Sequence, residues 1–70
     1  MEIKWEEGFK IAVRNENGAT VISANAAGLK SLGKIFLDLA EGGVGDHVHL
    51  DEGNSLEEGS GELVIEKDKS

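Results

Sequence analysis

The sequence predicts an α+β domain in the order ββ-α-ββ, a mostly antiparallel sheet of four to five strands with one helix packed on one face. Three observations carry that expectation. Residues Asn25–Glu41 divide into an apolar half and a polar half when placed at about 100° per residue, the mark of an amphipathic helix. Phe9–Arg14 and Asp46–Asp51 instead alternate with period two, as half-buried strands do. Between two extended stretches stands Asn17-Gly18, a pair that readily takes the positive φ angles of a tight hairpin.

Taken in order, Ile3 and Trp5 suggest an early extended piece. It is either a separate strand turned at Glu7-Gly8 or part of one long strand over residues 2–14 bulged at Gly8, and the residues leave both open. Phe9, Ile11 and Val13 share one face of the next strand, and Thr20–Ser23 returns beside it after the Asn15–Gly18 turn. In the helix, Ile35, Gly28, Leu39, Leu32, Phe36, Leu29, Ala40, Gly33, Ala26 and Leu37 fill the apolar half. Lys30, Glu41, Lys34, Ala27, Asp38 and Ser31 fill the other. Asn25 or Ser23 caps its start, and Gly42-Gly43 ends it by taking the left-handed conformation. Gly28 and Gly33 lie on the apolar half, where close approach of helix and sheet backbones explains two residues that weaken a helix by about 1 kcal/mol each. Lys34 and Asp38 form an i,i+4 pair worth about 0.3 kcal/mol. Downstream, Val48 and Leu50 face inward beneath Phe36 while His47, His49 and Asp51 face outward. Leu63 and Ile65 point one way and Val64 the other. Glu52–Gly61 is a polar, glycine-rich connection, and Lys67–Ser70 is a frayed tail.

Seventy residues make one small domain, 1–70, near the size at which a single core is only marginally stabilising. Scaffolds of this length commonly add disulfides, a metal or a second subunit. The chain has no cysteine, which removes disulfides, thiolate metal sites and a cysteine nucleophile. A homodimer is therefore expected, through the outer sheet face that shows Lys10, Ala12, Arg14, His47, His49 and Val64. No apolar run approaches the roughly 20 residues that cross a bilayer, and the first residues lack the basic and apolar regions of a signal peptide. A cytoplasmic protein without membrane contact is the expectation. The net charge of −7 repels phosphate backbones, and three aromatics leave little for base stacking, so nucleic acid is not an expected partner.

The charge is not evenly spread. Residues 1–40 carry Glu2, Glu6, Glu7, Glu16 and Asp38 against Lys4, Lys10, Arg14, Lys30 and Lys34, and balance. Residues 41–70 carry Glu41, Asp46, Asp51, Glu52, Glu57, Glu58, Glu62, Glu66 and Asp68 against Lys67 and Lys69 alone. Asp51, Glu52, Glu57, Glu58 and Glu62 lie in one stretch with no base among them, a one-signed field suited to a basic protein surface. The plainer reading is a loop kept soluble by its charge. Leu56, in its middle, is expected to tuck beneath the loop as a satellite of the core.

His47, His49 and Asp51 stand at i, i+2 and i+4, which on a strand brings two imidazoles and a carboxylate to one face. That is a chemically sensible zinc set, to which Glu52 or Glu62 adds an oxygen. Against it stands the commoner pattern of imidazole–carboxylate neighbours on a half-exposed sheet without metal. Ser55 and Ser60 lack an oriented base and an oxyanion pocket, and read as turn formers rather than nucleophiles. Gly42-Gly-Val-Gly45 follows a helix instead of opening one, so it is no phosphate loop. The chain is expected to be non-enzymatic and to need no cofactor.

Ile22–Asn25, Gly28–Leu32, Leu37–Ala40, His47–Glu52, Asn54–Ser60 and Glu62–Glu66 together resemble the immunity protein 32 family of bacterial polymorphic toxin systems, over about residues 20–67. The most specific part is His-x-His-Leu-Asp-Glu followed by Asn-Ser-Leu-Glu-Glu-Gly-Ser. The resemblance implies a protein that neutralises a toxin domain by binding it, and it carries no binding residue across. The alternative from the residues themselves is a small metal-binding structural or hydrolytic protein built on His47, His49 and Asp51.

Overall fold

The computed structural model describes residues 2–69, in the order β1 (Ile11–Glu16), β2 (Ala19–Ala24), α1 (Ala26–Ala40), β3 (His47–Leu50) and β4 (Leu63–Glu66). The expected ββ-α-ββ order is present, but the single sheet of four to five strands is not. β1 and β2 pair antiparallel with Ile11 opposite Ala24, β3 and β4 pair antiparallel with His47 opposite Glu66, and the two ribbons remain separate sheets. The reason lies at the β1 edge that faces the second ribbon. The Ile11 and Val13 carbonyls accept from the Glu57 and Gly61 amides, each at 2.9 Å, and the Val13 amide donates to Ser60 Oγ at 3.1 Å. A loop and a serine hydroxyl thus satisfy the edge that a strand was expected to fill.

The first ribbon follows from its turn. Asn17 and Gly18 both have positive φ, 52° and 84°, which matches the right-handed twist of the strands they join. Ahead of β1, neither expected form of an N-terminal strand is found among the described residues. The turn expected at Glu7-Gly8 is present, with Gly8 at φ 79° and the Phe9 amide donating to the Glu6 carbonyl, but the described residues ahead of it form no strand. Trp5 then stacks on Phe9 at a centroid separation of 4.4 Å, and the Glu6 amide donates to Ser31 Oγ on the helix. Side-chain packing against α1 replaces strand pairing there.

Asn25 caps α1, as expected of one of the two candidates, its Oδ1 accepting from Gly28 N–H at 2.8 Å and from Lys10 N–H at 3.0 Å. Gly28 is a true close approach, because a Cβ there would lie 2.5 Å from the Lys10 carbonyl oxygen. Gly33 is not, since a Cβ there meets nothing within 4 Å. The helix stops where expected, just before the double glycine, but by another means. Neither Gly42 nor Gly43 takes a positive φ, and the final carbonyls are met by a cation, Lys67 Nζ donating to Ala40 O at 2.8 Å and Gly42 O at 2.6 Å. A positive charge at a helix C-terminus opposes the negative end of its dipole. Lys67 is therefore anchored rather than part of a frayed tail; Ser70 lies outside the described residues. Lys34 pairs with Glu6 and not with Asp38.

Ile11, Val13, Leu32, Ile35, Leu39, Val48, Leu50 and Leu56 form the core, with Ile3, Trp5, Phe9, Ala24, Leu63 and Ile65 around it. Val48 and Leu50 face inward as the alternation demands, but Phe36 does not cover them, being 49% exposed. Two narrow ribbons bury only the stripe Gly28, Ser31, Leu32, Ile35 and Leu39, not a full half of the helix. Leu29 and Leu37 remain exposed with Phe36. Ser31, expected on the polar half, is buried because its hydroxyl donates to Ala27 O while accepting from Glu6.

Candidate partner-binding site

The acidic connection between β3 and β4 is built from its polar side chains. Asp51 Oδ1 accepts from the amides of Gly53 at 2.9 Å and Asn54 at 3.1 Å, and Asn54 Oδ1 accepts in return from the Asp51 amide at 3.1 Å. Asn54 Nδ2 donates to the His49 carbonyl at 2.9 Å, which ties the turn to the end of β3. Asp and Asn side chains favour such local bonds over strand or helix pairing, so this sequence breaks β3 where it does. The Asp51 carbonyl accepts from Ser55 and Leu56, and that turn drives Leu56 into the core, where it is 5% exposed. Leu56 therefore tucks beneath the loop, as the sequence suggests. Beyond it, Glu52 Oε2 accepts from Gly59 N–H at 2.8 Å, and Gly59 takes φ 88°. Glu57, Ser60 and Gly61 then bond to β1.

The five acids consequently divide by task. Asp51 and Glu52 hold the loop's own backbone. Glu62, on the far limb, accepts from His49 Nε2 at 2.5 Å. Glu57 and Glu58 are exposed, and their carboxylates bond to no described residue. The Glu57 backbone is fixed by its bonds to Ile11 and Ser60, and the charge of both residues is free. Close by, an open groove of about 420 Å³ is lined by Val13, Arg14, Asn15, Thr20, Gly59, Gly61 and Glu62. Its one cation, Arg14, already donates to Glu16 at 2.9 Å.

His47 and His49 both point outward from β3, each exposed. They part company there. His47 Nδ1 lies 3.1 Å from the Gly45 carbonyl, whereas His49 Nε2 faces Glu62 with Asp51 Oδ2 at 3.8 Å. Among the described residues, no group of three or more His, Asp or Glu is arranged to hold a metal ion. The outer-face residues Lys10, Arg14, His47, His49 and Val64 are exposed and Ala12 half-buried, but they lie on two ribbons and form no continuous sheet face.

Sequence reasoning missed Ser60, whose hydroxyl joins the loop to β1, and Lys67. A serine between two glycines in an otherwise acidic stretch was the available sign of the first. The second had none, because its contact spans the chain from β4 to the end of α1. No helix among the described residues is long and apolar enough to cross a membrane. No match was found among curated proteins or among solved structures. The family model described as Immunity protein 32 matches residues 19–68, which take in β2, α1, β3, the whole acidic connection and β4; the chain belongs to the immunity protein 32 family.

Proposed function

We propose that this chain is a non-enzymatic immunity protein that neutralises a toxin in the cytoplasm by binding it, with Asp51, Glu52, Glu57, Glu58 and Glu62 laid against a basic surface of the toxin. The observation that carries this reading is the division of labour in the loop. Backbone bonds to β1 and the seating of Leu56 fix the segment, while the Glu57 and Glu58 carboxylates remain unspent. A preordered anionic surface loses little conformational freedom on association, and its field steers a basic partner toward it.

The test uses a toxin domain against which co-expression of this chain restores growth, assayed for that protection and for direct binding. Glu57→Gln with Glu58→Gln is the informative pair, because it removes charge without touching the bonds that order the loop. Association is expected to slow by roughly tenfold at low salt, and protection to weaken with it. Unchanged association and full protection would reject the acidic surface as the contact.

A second reading, a metal-binding structural or hydrolytic protein built on His47, His49 and Asp51, draws on the two carboxylates that stand near His49 Nε2. It requires stoichiometric zinc or nickel in untagged protein, lost in His49→Ala. Elemental analysis that finds none removes it.

A further inference from the structure

The strand edges of this molecule are guarded unequally. Natural edges are blunted by charge, proline, bulges, short length or a covering loop, since a bare row of N–H and C=O groups invites another strand. The second ribbon has strands of four residues, and Asn54 covers the His49 carbonyl on the outer side of β3. β1 is flanked by β2 on one side and by the loop at Glu57–Gly61 on the other. β2 has no such cover. It is six residues long, Ala-Thr-Val-Ile-Ser-Ala, with no charge, no proline and a regular register against β1 throughout.

Which of its groups are free follows from alternation along the ribbon. Ile11 and Val13 direct their backbone groups to the loop, and the Asn25 amide donates to the Lys10 carbonyl at 3.1 Å. Antiparallel pairs alternate between bonded and non-bonded, so Ala12, Arg14 and Glu16 exchange bonds with Ser23, Val21 and Ala19. Thr20, Ile22 and Ala24 therefore turn their amides and carbonyls away from β1, and no described residue meets them. On the helix side of the ribbon, Ile22 is the one large apolar side chain of this strand, and it is 39% exposed.

We propose that the β2 edge pairs antiparallel with β2 of a second copy of this chain, with Ile22 opposite its own counterpart, to give a four-stranded sheet β1-β2-β2-β1. The occupant is chosen by charge and symmetry. A basic partner finds no complementary charge on Ala19–Ala24, whereas an identical uncharged strand matches it. A two-fold axis through Ile22 sets Thr20 against Ala24 on both sides, and every outward amide and carbonyl of the three residues gains a partner. The two Ile22 side chains become a cross-strand apolar pair. Self-repulsion of two chains of charge −7 is limited there, because the acidic loop bonds to the β1 edge opposite β2 and only Glu62 shares a groove with Thr20. The interface uses the outward backbone of Thr20, Ile22 and Ala24 and none of the five acids, and it is an alternative to the outer-face dimer expected from the sequence.

The experiment is sedimentation of the full chain from micromolar to sub-millimolar concentration, joined to amide exchange by NMR. Wild type is expected to reach twice the monomer mass, with the Thr20, Ile22 and Ala24 amides slowed to the range of those of Ala19, Val21 and Ser23. Ile22→Lys, outside the core, is expected to keep the far-UV signal of wild type and to sediment as monomer. A second variant, Thr20→Lys, is expected to do the same should Ile22→Lys fold poorly. A wild-type monomer throughout the range overturns the proposal. So does a dimer in which those three amides exchange at unprotected rates, which would place the interface elsewhere, the outer face included.

Discussion

The two hairpins do opposite things with the same topology. β1–β2 is closed by a two-residue turn whose conformation Asn17 and Gly18 supply locally, and its outer edge is neutral and bare. β3–β4 has strands of four residues joined by a long acidic connection, which Asp51, Glu52 and Asn54 fold locally without seating it on the rest of the molecule. That connection is instead held at a distance, by Leu56 in the shared core and by bonds from Glu57, Ser60 and Gly61 to β1. A short-range hairpin supplies the frame; a long-range one spends that frame on ordering charge. The lesson is that internal bonds give the acidic loop its shape, while its few anchors to the core and the other ribbon fix where it sits.

Breaking those anchors gives the largest effects. Leu56→Ala removes the loop's core contact and is expected to cost about 3 kcal/mol in urea unfolding, with faster amide exchange across residues 51–61. Gly28→Ala and Gly33→Ala should move stability in opposite directions, although both replace a helical glycine. The first forces a Cβ to 2.5 Å from the Lys10 carbonyl and is expected to destabilise by about 2 kcal/mol despite the better helix propensity. The second meets open space and should stabilise by roughly 0.8 kcal/mol. Chemical denaturation of the two variants side by side decides it. Ser60→Ala leaves the Val13 amide without its acceptor and is expected to cost about 1 kcal/mol, exposing that amide to exchange while β1–β2 stays paired.

The smallest effect is one of pH, and it belongs to the contact between α1 and the segment ahead of β1. The Lys34 ammonium bonded to Glu6 holds that carboxyl below the usual carboxylate range. Because the folded value is the lower one, the pair's contribution is fully present above the usual carboxylate value and is lost as pH falls through the folded value. Both groups are solvent-exposed and screened, so the loss is slight. Glu6→Gln should flatten the acid limb of stability against pH, seen in urea midpoints, and leave the neutral region nearly unchanged.

What was legible in the sequence was what neighbours in sequence decide. Asn17-Gly18 announced its turn, Asn25 its cap, and the alternation around Val48, Leu50, Leu63 and Ile65 its inward face. The acidic stretch and the family were legible too, from composition and from the His47–Glu66 pattern. What stayed hidden were choices between distant partners. Lys34 had Asp38 one turn away and took Glu6. The β1 edge had a strand within reach of expectation and took a serine hydroxyl. Phe36 had the right spacing to be buried, but two separate ribbons are too narrow to cover it. His47 shares a face with His49 and Asp51 yet turns to the Gly45 carbonyl, a contact that period-two spacing does not foresee.

Stopped-flow association of this chain with a toxin domain against which it protects, followed over a range of salt, tests the functional account most directly. Wild type should associate fast at low salt and slow steeply as salt rises, whereas Glu57→Gln with Glu58→Gln should be slower at low salt and visibly less salt-sensitive. Superimposable curves for the two proteins would contradict the account, because they would mean that the toxin never senses the charges this loop holds free.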